Sequence, residues 1–267
     1  TVFATGKSYI PADRQLSPGG QCRSKVCGMV GPTMGTNAGE EVIGPSRARD
    51  VLSSVGWLAH QPEEFRADVF QRASLVQYAA GEVIYRIGDP LGGIYGVASG
   101  AVVAMVAPPK ATPQPLHVIT AGGWIGEGPF LSREPRRAGL RAATETQALY
   151  LALDEMDQMA SLDPTVIRQF TRILLINLDV LVRAFHDLQD PDEYKRIARS
   201  LRRVVASEGA PIPLTQIALG IMSNASRKTV NAALQRFEKA GWVKSGYRAI
   251  TIRDLEALRE YAEGAGD

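Results

Sequence analysis

The spacing of apolar residues changes several times along the chain. Residues 1–45 are rich in Gly, Ser, Thr, Pro and Asn and have no sustained spacing, which predicts a mobile N-terminal arm. Between Ser46 and Phe70 apolar residues recur every three or four positions, which predicts short amphipathic helices. After them the apolar runs become short and lie between turn residues. The chain therefore continues from an arm and a few helices into a strand-rich region.

The strand-rich region contains short apolar runs separated by Gly, Pro, Asp and Ser. They cover residues 75–78, 83–85, 93–97, 101–106, 116–120, 139–143 and 148–153. Pairs such as Ala80-Gly81 and Gly122-Gly123 mark the turns between the runs. Many short strands at this spacing are typical of a small antiparallel barrel or sandwich. We therefore predict a β-domain for this part of the chain.

A long amphipathic helix follows the strands. Asp163-Pro164 supplies a cap and a first-turn proline, and Asp190-Pro191 ends the helix. Spacings of three and four residues separate the positions of one seam: Thr171, Leu174, Leu178, Leu181, Phe185 and Leu188. A strict repeat of 3.5 residues more often faces a partner helix than the helix's own domain. We therefore expect self-association, with packing of the seam on the β-domain as the alternative.

The C-terminal pattern predicts two helices across a tight turn, followed by a hairpin. The elements are a basic helix over 194–206, helices over 215–222 and 227–239, and strands over 242–244 and 249–252. Thr215 and Ser226 are placed to cap the two helices, and Gly241 is placed to end the second. This arrangement is a winged helix-turn-helix.

Charge is distributed unevenly over the 267 residues, whose net charge is +2. Residues 191–253 hold twelve Lys and Arg against four Asp and Glu, a local charge of +8, whereas the last fourteen residues carry −4. A basic block attached to a slightly acidic body indicates a polyanion-binding module. By charge alone, a solvated helical face is an equally good interpretation.

The positions of the second helix of the turn motif favour contact with DNA. Val230, Leu234 and Phe237 can pack inward, which leaves Arg227, Lys228, Asn231 and Arg236 outward. An Arg at the start of such a helix can bond guanine O6 and N7 together in the major groove. The predicted DNA-binding residues are Thr215, Ser226, Arg227, Lys228, Thr229 and Asn231.

Composition excludes several other classes of protein. No apolar run reaches the roughly 18 residues that a membrane-spanning helix needs, so we expect no membrane. Cys22 and Cys27 lie in the arm without a recognisable secretion signal, which predicts free thiols in a reducing cytoplasm. The histidines have no metal-ligand spacing, and phosphate-loop and nucleophile motifs are missing. We therefore expect no metal and no enzyme.

A Ser-Arg pair followed by Thr-Val opens the second helix, at Ser226-Arg227 and Thr229-Val230, and the segment 237–241 reads Phe-Glu-Lys-Ala-Gly before the wing. Together they resemble the C-terminal winged helix of the Crp/Fnr family of bacterial transcription regulators. Lys228 stands where many members carry Glu, so the preferred DNA half-site is expected to differ. Asn224 stands in the turn where Gly is usual, and it tolerates the left-handed conformation almost as well.

The first half carries a second resemblance of its own. Glycines at Gly81, Gly88, Gly96 and Gly100 have the spacing of a cyclic nucleotide-binding β-roll. The two resemblances cover residues 75–253 and include the long helix, which in the family is the dimerisation coiled coil. They imply an α+β protein with an N-terminal antiparallel β-roll, a coiled-coil helix and a C-terminal winged helix-turn-helix.

An effector site is implied between Gly126 and Ala138. By spacing, Glu127 and Arg137 match the sugar-binding Glu and phosphate-binding Arg of the family, where free N–H groups and a guanidinium suit a cyclic phosphate. Ala138 replaces the usual Ser or Thr, Pro129 is expected to break the short helix, and the stretch that contacts the base, 181–182, has no hydroxyl. A cyclic nucleotide is therefore a doubtful ligand, and an empty, vestigial site is the alternative.

These inferences divide the chain into an arm (1–45), a sensor β-roll (46–163), a dimerisation helix (164–190), a winged helix (191–256) and an acidic tail (257–267). They predict a homodimeric regulator that binds palindromic double-stranded DNA in the cytoplasm, with RNA polymerase as a candidate partner. Its sensor either responds to a small molecule or is vestigial. A small-barrel metalloenzyme would need clustered His and Glu ligands on its strands, and a regulatory subunit would leave the basic domain unexplained.

Overall fold

A computed structural model of the protein describes residues 43–108, 110–204, 209–246 and 249–264, so residues 1–42 of the predicted arm, with its two cysteines, lie outside the described residues. The end of the predicted arm is wrong, because Ile43 is buried and Pro45 begins the first helix. The helices are α1 (Pro45–Ser54), α2 (Gly56–Ala59), α3 (Glu63–Arg72), α4 (Gly128–Ser132), α5 (Leu153–Leu162), α6 (Val166–Leu188), α7 (Glu193–Val204), α8 (Gln216–Ser223), α9 (Arg227–Lys239) and α10 (Leu255–Glu263). The strands are β1 (Ser74–Tyr78), β2 (Val83–Tyr85), β3 (Ile94–Ser99), β4 (Ala101–Val106), β5 (Gln114–Thr120), β6 (Trp124–Ile125), β7 (Gly139–Ala142), β8 (Thr146–Leu151), β9 (Pro211–Ile212), β10 (Val243–Gly246) and β11 (Ala249–Ile252).

Two four-stranded antiparallel sheets form the first half of the described chain. Their strand orders are β1-β8-β3-β6 and β2-β7-β4-β5. The hairpin of β4 and β5 is the longest pairing in the second sheet and runs from Ala101↔Thr120 to Val106↔Gln114. Apolar side chains such as Val97, Val102 and Leu140 are buried together in one cluster. The predicted β-roll is confirmed, and each of the predicted strand runs has an observed strand.

Five short elements escape the sequence pattern: β6, α4, α5, β9 and α10. β6 and β9 have two residues each, so they cannot show an alternating pattern. Residues 255–263 form α10, although the sequence sets 257–267 apart as an acidic tail. Leu258 and Ala262 of this helix are fully buried in the same apolar cluster as α7.

The expected effect of Pro129 on the short helix is wrong. Gly128–Ser132 forms α4 with this proline in its first turn, where no intrahelical partner is needed for the missing N–H. The helix ends at Arg133, whose φ of 59° is left-handed. Pro129 therefore helps to start the helix that sits beside the predicted effector site.

The long helix α6 packs on the β-roll with one side. Val166, Phe170, Ile173 and Ala184 are its buried residues. Phe170 is the centre of an aromatic cluster: its ring centroid lies 5.9 Å from that of Trp57, 5.4 Å from Phe65 and 5.1 Å from Phe130. The cluster joins α6 to α2, α3 and α4, so this helix is anchored to the sensor along its first half.

The C-terminal part has the predicted winged helix-turn-helix, extended by one strand and one helix. Its three-stranded sheet has the order β10-β11-β9. The fully buried core residues include Ile197, Leu201, Leu219, Leu234 and Phe237. The same apolar cluster contains Ala101 and Val103 of β4 and Val118 of β5. The winged helix therefore packs directly on the β4–β5 hairpin of the sensor.

Candidate functional site

Side-chain caps position the two helices of the turn motif. Ser226 Oγ accepts a hydrogen bond from the Thr229 N–H at 3.0 Å and lies 2.9 Å from the Thr229 hydroxyl. Thr215 caps α8 in the same way, accepting from the Ala218 N–H at 3.1 Å. Between the helices Asn224 adopts φ 47°, ψ 52°, the left-handed conformation expected for it. The predicted helix starts are confirmed, and contact of these hydroxyls with DNA stays a prediction.

The outward face of α9 is basic and polar. Val230, Leu234 and Phe237 are buried as predicted. The exposed residues of α9 are Arg227, Lys228, Asn231, Arg236, the acidic Glu238, and also Gln235 and Lys239. The last two were missed in the sequence, although their spacing of four and eight residues from Asn231 is a signal that could have found them.

Arg236 is exposed on α9, as its sequence position predicts. Its guanidinium carbon lies 5.1 Å from the ring centroid of Tyr261 and 5.9 Å from that of Tyr194. These cation–π contacts direct the side chain toward α7 and α10. Arg236 is therefore an exposed residue of α9 whose guanidinium also contacts α7 and α10.

The predicted effector residues line a cavity of about 340 Å³ beneath α6. This volume is within the range of small-molecule sites. Most of the lining is apolar: Ala104, Val106, Leu116, Ile119, Ile125, Leu174, Leu178 and Leu181. Gly126, Glu127, Arg137 and Ala138 all border the same cavity, so the structure brings the four predicted residues together.

Glu127 is held in a buried position at the cavity. It is 6% exposed, and its Oε1 accepts a hydrogen bond from Asn177 Nδ2 of α6 at 3.2 Å. A buried carboxylate needs donors, and the remaining lone pairs are available for a ligand hydroxyl. Gly126 next to it has φ 108°, and a Cβ there would lie 2.9 Å from both Arg136 Nη1 and Gly93 O, so only glycine fits.

Arg136 and Arg137 are adjacent, and the structure buries Arg136, which the sequence does not predict as a site residue. Arg136 is 5% exposed and donates to Gly126 O at 2.8 Å and to Gly93 O at 2.7 Å. Its guanidinium carbon lies 4.2 Å from the centre of the Tyr85 ring. The Arg137 side chain is 77% exposed and pairs with Glu134. Arg137 therefore borders the cavity as an exposed, ion-paired side chain, and Arg136 forms part of the wall.

His117 of β5 is a half-buried titratable group that the sequence pattern does not single out. It lines the cavity, and its Nδ1 has no hydrogen-bond partner among the described residues. Burial, and secondarily the positive charge of Arg203 on α7, lower the pKa of His117 from 6.5 to about 4. The imidazole is therefore neutral at pH 7 and lies between the sensor cavity and the winged helix.

Acidification to pH 5 is expected to destabilise the protein through His117. The unfolded chain binds this proton near pH 6.5 and the folded chain only near pH 4, so the free energy of unfolding falls as pH drops between them. The loss between pH 7 and pH 5 should be about 2 kcal/mol. Urea unfolding of the parent and of His117→Gln measures it, with exposed His60→Gln as control. Equal pH dependence in the parent and His117→Gln would contradict the assignment.

The side chains of the predicted seam of α6 are exposed to solvent. Leu174, Leu178, Leu181, Phe185 and Leu188 are all exposed, and Phe185 reaches 67%. The side of α6 that packs on the sensor is a different one, as the buried residues above show. Leu174, Leu178 and Leu181 also line the cavity of the β-roll, so the first half of the seam borders the chain's own β-domain while its side chains stay partly exposed.

The described residues contain no group of three or more His, Cys, Asp or Glu that could hold a metal ion. A helix long and apolar enough to cross a membrane is likewise not found in the part of the chain that the structure describes.

Two family models match the chain over the two regions just described. The model for the cyclic nucleotide-binding domain matches residues 75–163, and that for the Crp-like helix-turn-helix domain matches residues 195–261. The first range contains the cavity residues on β4–β7, and the second contains the helix-turn-helix with its wing.

Similar proteins and structures agree with the two models. The chain is 26% identical over 195 residues to the CRP-like cAMP-activated global transcriptional regulator of Mycobacterium tuberculosis H37Rv, covering 70% of this chain and 87% of that protein. FixK2 from Bradyrhizobium japonicum has the same fold, with a TM-score of 0.60, 22% identity and coverage of 70% and 96% of the two chains. A CRP/FNR-family regulator from Thermus thermophilus has a TM-score of 0.56 at 23% identity, covering 72% and 100%.

The β-roll with its cavity, the anchored long helix and the basic winged helix thus coincide with both family models and with the architecture of these regulators. The chain belongs to the Crp/Fnr family and is a DNA-binding transcription regulator.

Proposed function

We propose that the protein acts as a homodimer that binds a palindromic site in double-stranded DNA through two copies of α9. The exposed apolar seam of α6 is the observation that carries this proposal. Five large apolar side chains exposed along one line of a helix are costly in water, and a second copy of the same helix covers them. Two-fold symmetry would then place two recognition helices on half-sites about 34–36 Å apart.

The basic outward face of α9 supplies the chemistry for sequence recognition. Arg227 and Lys228 project from its first turn, the part of a recognition helix that reaches base edges. Arg227 fits bidentate bonding to a guanine, and Asn231 fits an adenine. A regulator that binds chromosomal DNA works in the cytoplasm, where RNA polymerase is its candidate partner. We assign the chain no enzymatic reaction.

Selection from randomised duplexes followed by gel-shift measurements tests the proposal. A homodimer should recover a palindrome with two half-sites about one helical turn apart and should bind it with two chains per duplex. Recovery of a single asymmetric site bound by one chain would disprove the proposed dimer. Binding of all duplexes with equal affinity would disprove sequence recognition.

The cavity beneath α6 is proposed to take a ligand less polar than a cyclic nucleotide. Glu127 offers an acceptor for a hydroxyl, whereas the helix contributes Leu174, Leu178 and Leu181 to the lining. Arg136 already donates to two carbonyls, and Arg137, at the border of the cavity, is paired with Glu134. These groups favour an apolar body with a hydroxyl over a charged phosphate. A vestigial cavity, with DNA binding that needs no effector, is the second candidate.

Cyclic AMP is expected to bind weakly, and DNA binding should not require it. A missing hydrogen bond to a charged group, such as the hydroxyl that Ala138 lacks, costs about 1.5–3 kcal/mol, or roughly ten- to a hundredfold in affinity. Calorimetry of the parent should show no saturable heat at low micromolar nucleotide, and Ala138→Ser should strengthen binding. Submicromolar binding by the parent that Arg137→Ala abolishes would contradict this expectation.

A further inference from the structure

The hinge between α6 and α7 and the turn between α8 and α9 are about thirty residues apart in sequence but share one side chain. The hinge contains Asp190 and Pro191, and the turn starts at Asn224, directly after Ser223 ends α8. Arg196 of α7 lies between them and is buried. Its guanidinium donates hydrogen bonds to both segments.

Each nitrogen of the Arg196 guanidinium has a partner. Nε donates to Ser223 O at 2.8 Å and Nη2 donates to Asn224 O at 2.8 Å, where α8 ends and the turn starts. Nη1 donates to Asp190 O at 2.8 Å and to Pro191 O at 3.4 Å, both on the hinge. Nη2 also lies 3.5 Å from Glu193 Oε1. One planar group therefore joins the end of the long helix to the start of the recognition motif.

The geometry of these bonds requires arginine. Five N–H donors in a rigid fork reach carbonyl oxygens on two sides, whereas the ammonium of lysine is a single point with three donors. The carbonyls of Ser223 and Asn224 lie at the C-terminal end of α8, so they have no partner inside that helix. Arg196 satisfies these carbonyls with the same guanidinium that donates to Asp190 O and Pro191 O of the hinge. A rotation of the hinge is therefore expected to move the turn.

We infer that Arg196 is a positioning residue that transmits the orientation of the hinge to the recognition helix, and thereby sets which spacing of two half-sites the dimer accepts. The inference rests on the proposed dimer. Ser226 lies two residues after Asn224 and caps α9. The turn and the recognition helix are therefore expected to move together. Arg196 touches no base; it acts through the turn.

Arg199 is a matched control on the same helix. Its Nη1 lies 2.9 Å from Asp190 Oδ2 of the same hinge, and its Nε donates to Ala262 O of α10 at 3.0 Å. These two partners belong to the hinge and to α10, and neither belongs to the turn. Arg199→Lys therefore removes a comparable guanidinium bridge at the hinge while leaving the turn contacts of Arg196 in place.

The test compares affinity for the selected palindrome with affinity for the same palindrome lengthened by one central base pair. Arg196→Lys is expected to reduce the parent's preference for the selected spacing about tenfold or more, with near-parent binding to random-sequence DNA. Arg199→Lys should keep the preference within about threefold. The inference is overturned if Arg196→Lys weakens both duplexes equally, or if both variants change the preference alike. Circular dichroism and thermal unfolding confirm that each variant is folded.

A second variant covers the case in which Arg196→Lys does not fold. Pro191 is exposed, and Pro191→Gly loosens the hinge without touching the turn. Hydrogen exchange at the Ala225 amide, which donates to Gly220 O at 2.8 Å inside the turn, should accelerate about threefold or more in this variant. Unchanged exchange at Ala225 would overturn the inference. This measurement needs no DNA, so its outcome does not depend on the proposed dimer. A parent protein with no spacing preference would overturn the proposed dimeric recognition and not the role of Arg196.

Discussion

Leu178→Asp is expected to convert the proposed dimer into monomers that no longer prefer a palindrome. Leu178 is 48% exposed at the middle of the seam, between Leu174 and Leu181. Burial of one leucine contributes about 1.5–3 kcal/mol, and a symmetric interface loses two of them and gains two carboxylates that are unpaired. The dimer should therefore weaken by more than about a thousandfold.

Light scattering and sedimentation at micromolar concentration measure this effect. Ile176→Asp is the matched control, because Ile176 is on the same helix and is also 48% exposed. It precedes Leu178 by two residues, so it lies on a different side of the helix from the seam. The control should remain dimeric. A monomeric parent, or a Leu178→Asp protein that is as dimeric as the parent, would disprove the assignment of the seam.

Arg227→Ala is expected to abolish specific DNA binding and to leave the fold intact. The side chain is exposed at the first position of α9, and the cap that starts this helix belongs to Ser226. Loss of a bidentate guanine contact costs about 1–3 kcal/mol per half-site and twice that in a symmetric dimer. Affinity for the selected palindrome should fall by roughly thirtyfold to ten-thousandfold, and sequence preference should relax at the contacted base pair.

Gel shifts with the selected palindrome and with a random duplex separate the specific from the electrostatic part of this loss. Arg259→Ala is the control, since Arg259 is an exposed arginine of α10 that pairs with Glu256. It removes the same charge from a different element of the same domain. An Arg227→Ala protein that binds the selected palindrome within about threefold of the parent would show that α9 is not the recognition helix.

The β-roll and the winged helix contact each other directly, in addition to being connected through α6. Val103 of β4 and Val118 of β5 share an apolar cluster with the helices of the DNA-binding part, and Arg203 of α7 pairs with Asp187 of α6. His117, beside the cavity, feels the charge of this Arg203. The proposed ligand would lie near these groups, which would give the proposed effector response a physical basis.

The sequence by itself determined the features that depend on near neighbours in the chain. Thr215 and Ser226 cap helices because an Ncap hydroxyl needs only the N–H three residues later. The strand 101–106 follows from a short apolar run next to turn residues, and the seam from Leu174 to Leu188 follows from spacings of three and four residues. The family motifs at the start of α9 belong to the same class, since all their residues lie within one helix and its turn.

Only the tertiary structure decided which of several similar side chains does what. Arg136 and Arg137 are adjacent, and the first is buried because two carbonyls from distant parts of the chain, at Gly93 and Gly126, accept its donors. In the sequence, Arg196 is one of several arginines on a basic helix. What distinguishes it is that its guanidinium donates hydrogen bonds to both the hinge and the turn. Burial and long-range hydrogen bonds depend on what the fold brings near, and no spacing along the chain records that.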